Sequence, residues 1–107
     1  MKIVGVTACP SGVAHTYMAA ESLQEACKEN NVTIQVETQG SIGIENELTN
    51  ETIKNADVVI LTNDIGIKDE ERFKGKMVLR VSTGDCIKKS SIIIKKLKEK
   101  LSKQVEN

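Results

Sequence analysis

Apolar and polar positions along the chain change period several times, and each change marks a predicted element. Ile3-Val4-Gly5-Val6-Thr7 is nearly continuous in apolar residues, the pattern of a strand buried on both faces of a parallel sheet. From Ala14 to Glu29 the spacing becomes helical. Ala19, Ala20, Leu23, Ala26 and Cys27 share one face, while Glu21, Gln24, Glu25 and Lys28 fall largely on the other. Asn30-Asn31 closes this helix, since asparagine tolerates a left-handed cap. Val32 to Thr38 alternates, which predicts a strand covered mainly on one face and places it at the sheet edge. Gln39-Gly40-Ser41-Ile42-Gly43 reads as a turn-rich connection. Thr49 is an N-cap for a short helix with Ile53 turned inward. Ala56 to Thr62 is the strongest strand and is expected to be central. A brief helical or turn segment, Asp69 to Phe73, leads to a fourth strand, Met77 to Val81. Ser82-x-x-Asp85 resembles a capping box, and opens a last helix with Ile87, Ser90, Ile94, Leu97 and Leu101 along one stripe.

Strands alternating with helices predict an α/β fold with a parallel sheet and right-handed crossovers. Ligands of such sheets bind at the carboxyl ends of the strands. Cys9, Gln39-Gly40, Asn63-Asp64 and Ser82-Thr83 all fall at those ends. One domain over residues 1–102 is expected, followed by a polar tail, 103–107, that frays.

Composition narrows the function. Fifteen basic and fifteen acidic residues cancel, and one Tyr, one Phe and no Trp leave no stacking platform. Both facts argue against nucleic-acid binding. Three cysteines at 9, 27 and 86 with a single histidine do not give a zinc-site spacing; no metal is expected. An odd, sparse cysteine count fits a reducing cytosol. Met1-Lys2 runs straight into a strand pattern, so no signal peptide is expected. No apolar run approaches the ~20 residues of a membrane span. Met1 just before the first strand and an end soon after the last helix suit a free-standing subunit and an excised domain alike.

The chemistry concentrates in Thr7-Ala8-Cys9-Pro10-Ser11-Gly12-Val13-Ala14-His15-Thr16. A cysteine at a strand's end, followed by a loop of small residues that opens a helix, faces unpaired N–H groups and the positive end of a helix dipole. A thiolate is stabilised there, and so is a phosphoryl group carried on the sulfur. Cys9 precedes Pro10 and is therefore extended. Pro10 has no N–H, which leaves Ser11, Gly12, Val13, Ala14 and His15 to offer amides. Gly12 permits a turn or a close approach. The hydroxyls of Ser11 and Thr16 can bond phosphate or cap the helix. His15 either orients the loop or brings an imidazolium toward phosphate, against the plainer reading of a partly exposed helix residue. Cys27 and Cys86 read as core packing, Asp64 as a turn former before a catalytic acid. The seven lysines between Lys88 and Lys103 read as a solvated helix face.

This loop resembles the fructose-type IIB component of the bacterial sugar phosphotransferase system. The family signature is Cys-Pro-Thr-Gly-Ile-Ala-His-Thr-Phe-Met-Ala-Ala-Glu; here Cys9 to Glu21 match it except at Ser11, Val13 and Tyr17. Further similarity lies in Val36-Glu37-Thr38-Gln39-Gly40-Ser41, in Ala56 to Leu61, in Arg72-Phe73-x-Gly75-Lys76 and in Arg80-Val81-Ser82-Thr83. The resemblance implies a four-stranded parallel open sheet with helices on both faces, a Rossmann-like three-layer sandwich. It implies that Cys9 takes a phosphoryl group from a phosphohistidine of a IIA component. Cys9 then passes it to fructose or a similar sugar held by the membrane permease IIC, without metal or cofactor. A cytoplasmic protein, transiently at the inner face of the membrane through IIC, is implied as well. Two other readings compete. A low-molecular-weight cysteine phosphatase or arsenate reductase has Cys-x5-Arg, but position 15 is His15, which cannot copy the bidentate guanidinium; only Asp64 offers a leaving-group acid. A non-enzymatic anion- or partner-binding module would keep its function after Cys9→Ser.

Overall fold

The computed structural model describes the backbone of residues 1–105 and the side chains of residues 1–101. Among the described residues five strands and four helices follow in the order β1 (Lys2–Thr7), α1 (Val13–Glu29), β2 (Thr33–Gly40), β3 (Gly43–Glu45), α2 (Asn50–Lys54), β4 (Val58–Thr62), β5 (Val78–Val81), α3 (Thr83–Lys88) and α4 (Ser90–Val105). A short 3-10 turn, Glu70–Phe73, lies between β4 and β5. The strands form one sheet in the order β3-β2-β1-β4-β5.

Several expectations change. The sheet is not four-stranded and parallel: β3 adds a fifth strand, antiparallel to β2, with Thr38 opposite Glu45 and Gly40 opposite Gly43. The segment expected as a plain connection is thus a hairpin, and β2 is not an edge strand. Its alternation holds from Thr33 to Val36 and then stops, because Glu37, Thr38 and Gln39 are polar yet buried. The remaining pairings are parallel, with β1 between β2 and β4 and β5 outside β4. β4 is interior and buried along its whole length, while the middle position belongs to β1.

The last helix is also divided. α3 ends at Lys88, Lys89 takes φ −125°, and α4 begins at Ser90. Ser90-Ser91 supports such a break, because serine hydroxyls compete for backbone groups. The bend lets Cys86 from α3 and Ile94 and Leu97 from α4 enter one core. α4 is helical through Val105. Of the tail expected to fray, Glu106 and Asn107 lie outside the described residues, and so does the side chain of Lys103.

Alternation along β1 divides the core between the two faces of the sheet. Ile3 joins Leu23, Ala26, Cys27, Ile60, Cys86 and Ile94 beneath the long helices. Val4, Val6 and Ala8 join Ile53, Leu61, Ile67 and Phe73 on the other face. Each aliphatic side chain taken fully from water contributes roughly 1.5–3 kcal/mol. Thr49 caps α2 by accepting from Thr52 N–H at 3.1 Å, and Ser82 caps α3 by accepting from Asp85 N–H at 3.0 Å, as their cap chemistry predicts. Asn31 takes the left-handed conformation after α1 (φ 57°). Lys98 Nζ donates to Asn30 O at 2.7 Å, placing a cation at the negative end of α1.

Candidate functional site

The order of the parallel strands places the loops after β1 and β4 side by side at the carboxyl edge. The connections from these two strands leave in opposite directions there, α1 to one face and the 3-10 turn to the other. Ligand crevices of open α/β sheets form at this point. Cys9 stands in it, half-buried, just past the end of β1.

The loop is fastened from below. Thr62 Oγ1, at the end of β4, accepts from Ala8 N–H at 2.9 Å and donates to Ala8 O at 3.1 Å. Thr83 Oγ1 lies 3.5 Å from the same carbonyl. The residue before Cys9 is therefore tied to the neighbouring strand and lies close to the start of α3. Thr7 Oγ1 donates to Thr16 O at 3.0 Å, which clips the strand to the helix it feeds.

Above this floor the predicted loop residues come together. Gly12 is the N-cap of α1, with φ 132° and ψ 171°, a conformation that favours glycine. Its N–H turns back to Cys9 O at 3.3 Å. No side chain caps α1 and its first turn holds no acidic residue. Among the described residues, the N–H groups of Ser11, Val13, Ala14 and His15 find no acceptor within the protein. An uncapped helix start beside a thiol has the free donors and the dipole that anion binding uses. Thr16 stands apart: it is 1% exposed and its hydroxyl donates to Gly12 O at 3.3 Å, so it steadies the first turn. Ser11 and His15 are exposed and bonded to one another, with Cys9 Sγ on the far side of Ser11.

Beside Cys9 opens a cleft of about 150 Å³, lined by Gln39, Gly40, Ser41, Ile44, Ile65 and Lys68. Its walls are the β2–β3 hairpin and the loop after β4. Gln39 joins the walls: its Oε1 accepts from Lys68 N–H at 2.9 Å and its Nε2 donates to Lys68 O at 3.2 Å. Gln39 Nε2 also donates to Glu37 Oε2 at 2.8 Å. Glu37 is a buried carboxylate, 0% exposed. Arg72 grips both its oxygens, at 2.8 and 2.7 Å, and Leu48 N–H donates to it at 2.9 Å. Burial alone pushes Glu37 up, but the bonds from Arg72, Leu48 and Gln39 together hold it below the usual carboxylate range. Gly40 completes the packing. A Cβ there would meet Val13 Cγ2 at 3.3 Å, so glycine lets the hairpin approach the cysteine loop.

Sequence reasoning had not found the roles of Thr62, Glu37, Gln39 and Arg72. A threonine ending a fully apolar strand was the available signal for Thr62. For Glu37, set among Gln35, Thr38 and Gln39, nothing local marked the charge as buried or named Arg72 as its partner.

Asp64 is engaged rather than free. Its Oδ1 accepts from both Thr83 Oγ1 and Thr83 N–H, each at 2.6 Å. The Thr83 hydroxyl bond, followed by the amide, holds its carboxyl below the ordinary range. Both bonds commit Asp64 Oδ1 to Thr83, so it is not a free acid waiting for a leaving group as a phosphatase would need.

The other cysteines are chemically quiet. Burial pushes Cys27 up to about 11. Burial, with Asp64 and Asp85 nearby, pushes Cys86 up to about 12. Iodoacetamide near neutral pH is therefore expected to label Cys9 first in the folded protein, and Cys27 and Cys86 only after unfolding. Peptide mapping of the label checks this; equal labelling of Cys27 in the folded state would contradict it.

Comparison with known proteins places this geometry. Residues 4–103 match the family model described as PTS system, Lactose/Cellobiose specific IIB subunit. The chain is 58% identical over 101 residues to the PTS system fructose-like EIIB component 2 of Escherichia coli K12, covering 94% of this chain and 95% of that one. It is 47% identical over 95 residues to the PTS system fructose-specific EIIABC component of Bacillus subtilis, covering 89% of this chain and 15% of that longer protein. Among solved structures, a domain of a fructose-specific IIABC component from Borrelia burgdorferi is 60% identical, with a TM-score of 0.83 over 88% of this chain and 89% of that one. The Enzyme IIB subunit of Escherichia coli K12 is 38% identical, with a TM-score of 0.91 over 96% of this chain and 95% of that one. The family model names lactose and cellobiose, while three of these four relatives carry fructose in their names, and the fructose-type signature around Cys9 agrees with them. The chain belongs to the IIB family of the sugar phosphotransferase system, in its fructose-type branch.

Proposed function

We propose that this protein is a phosphoryl carrier of a fructose-type sugar phosphotransferase system and that Cys9 is the carrying residue. The observation that carries this reading is the half-buried Cys9 thiol beside an uncapped helix start with unpaired amides. Family membership supplies the chemistry: a transferase that takes phosphate from one protein and gives it to a sugar. A thiolate suits both halves, being a strong nucleophile and a competent leaving group. The amides of Ser11, Val13, Ala14 and His15 stabilise charge on the transferring group and on the phosphocysteine. Gly12 shapes the turn and Thr16 holds the first turn of α1.

The donor in this reading is a phosphohistidine of a IIA component, and the acceptor is fructose or a fructose-like sugar bound by IIC. A relative named as an EIIABC component joins all three elements in one protein, and one named as an EIIB'BC component joins IIB to IIC; both support that pairing. Ile44 and Ile65 stand exposed on the cleft beside Cys9, and Ile42 at the hairpin tip is 67% exposed; these apolar side chains give partners a surface next to the sulfur. Among the described residues no helix is long and apolar enough to cross a membrane, which accords with a cytoplasmic protein that meets the membrane only through IIC. Residues 1–102 would act as one phosphotransfer domain, with 103–107 as its tail.

Incubation with a phosphorylated fructose-type IIA component tests the reading. The expected result is one phosphoryl adduct on the Cys9 peptide, discharged only when IIC membranes and sugar are both added. Absence of an adduct, with hydrolysis of an aryl phosphate instead, would replace it with the phosphatase reading.

A further inference from the structure

One hydroxyl separates the thiol from the only histidine. Cys9 Sγ lies 2.8 Å from Ser11 Oγ, and Ser11 Oγ lies 2.6 Å from His15 Nδ1. Ser11 sits in the loop just before the N-cap, and His15 is the third residue of α1. A side chain at that helical position ordinarily reaches back to the N-cap backbone. Here it reaches the Ser11 hydroxyl instead, and α1 goes without a side-chain cap.

A hydroxyl has one proton and two lone pairs, so Ser11 donates to one neighbour while accepting from the other. The row therefore has two self-consistent states. In one, the Cys9 thiol donates to Ser11 and Ser11 donates to Nδ1 of a neutral imidazole. In the other, an imidazolium donates to Ser11 and Ser11 donates to a thiolate. Two short proton shifts interconvert them without any heavy atom changing place. His15 keeps the proton on Nε2 throughout.

We infer that Ser11 and His15 form a proton relay that ionises Cys9 as it attacks and returns its proton afterwards. This inference rests on Cys9 being the phosphoryl carrier. In the loading step the Cys9 sulfur attacks the phosphorus of the partner's phosphohistidine. The S–P bond forms, the N–P bond breaks, and its electron pair stays on the partner's imidazole nitrogen. The thiol proton passes to Ser11 Oγ while the Ser11 proton passes to His15 Nδ1. The resulting imidazolium lies beside the new dianion and offsets part of its charge. When a sugar hydroxyl takes the phosphoryl group, the S–P electron pair returns to Cys9 sulfur. The thiolate is then reprotonated through Ser11, and the hydroxyl proton departs on the sugar's side.

Neighbouring charged groups have other engagements or lie off this row. Asp64 is held by Thr83, and Glu45 on β3 accepts from Tyr17. Lys68 lines the cleft on the other side of Cys9, and Asp85 lies in the first turn of α3. None of them hydrogen-bonds Ser11 or His15 among the described residues. A simple cap or packing role would need neither the Sγ contact nor a ring nitrogen turned toward the hydroxyl.

The test uses Ser11→Ala, Ser11→Thr and His15→Gln in two assays across pH: single-turnover loading from phosphorylated IIA, and alkylation of Cys9 by iodoacetamide in the free protein. Ser11→Ala and His15→Gln are expected to slow loading roughly 10²-fold near neutral pH and to move both pH profiles to higher pH. Ser11→Thr, which keeps a hydroxyl, is expected to stay near the wild-type rate with an unmoved profile. Unmoved profiles in Ser11→Ala and His15→Gln would overturn the relay, whatever their rates. A loss in Ser11→Thr as large as in Ser11→Ala would overturn it too, because it would point to packing. Alkylation needs no partner, so the relay stays testable if wild type fails to load, an outcome that counts against the carrier reading alone.

Discussion

A Cys9→Ser variant is expected to lose phosphoryl transfer while keeping its fold. Serine differs from cysteine by one atom, and the half-buried position has room for the smaller oxygen. Nothing in the core rests on the sulfur: neither hydrophobic cluster includes Cys9. Stability should therefore change by no more than about 0.5 kcal/mol. Reactivity should change far more. A serine hydroxyl is scarcely ionised near neutral pH, and an alkoxide is a poor leaving group beside a thiolate. Loss of the nucleophile in enzymes of comparable logic costs on the order of 10⁴-fold or more. Transfer from phosphorylated IIA to sugar, measured beside a thermal melt, checks both halves. Wild-type turnover by the serine variant would remove Cys9 from the reaction.

Arg72→Ala is expected to cost about 3–5 kcal/mol, a large share of the stability of a domain this size. Its guanidinium is the bidentate partner of a carboxylate that has no water to turn to. The pH dependence follows from the sign of the Glu37 shift. With Arg72 present the folded form holds Glu37 below its unfolded value of roughly 4.3. The stabilisation is then complete above that value and is lost as pH falls through the folded value. Without Arg72, burial prevails and the folded carboxyl rises above its unfolded value, so the variant loses stability as pH increases through that raised value. The gap between wild type and variant should thus be widest at neutral pH and narrow on acidification. Urea titrations at about pH 7 and about pH 4 measure it. A loss below about 1 kcal/mol at neutral pH, or a gap that does not narrow, would show that the pair is not what holds Glu37.

Features with local signals were legible in the sequence. The period change from β1 to α1 is confined to adjacent residues, and Thr49 and Ser82 cap their helices through atoms three residues away. The strand–loop–helix setting of Cys9 was legible for the same reason. Features that depend on distant partners were not. Glu37 and Arg72 stand 35 residues apart, and no spacing rule joins them. β3 has only three residues, all exposed, so it carries no periodicity, and it exists because β2 offers an edge to a chain that turns back at Ser41-Ile42. Gln39 looked like a turn residue because its bonds go to Lys68, across the cleft. Ser11 and His15 lie four residues apart, but spacing does not say which ring nitrogen meets which oxygen.

The shortness of β3 bears on how many copies can share a cell. Open sheets end in unpaired backbone, which invites the strands of neighbouring molecules. A chain whose formal charges cancel, 15 against 15, has little long-range repulsion to keep such neighbours apart. One outer edge here is three residues long and stops at Asn46, in the left-handed conformation (φ 54°). The other edge, β5, is four residues long and carries the exposed Arg80. Neither gives a foreign strand enough register to grow, so edge-to-edge pairing is limited by the geometry of the margins rather than by net charge.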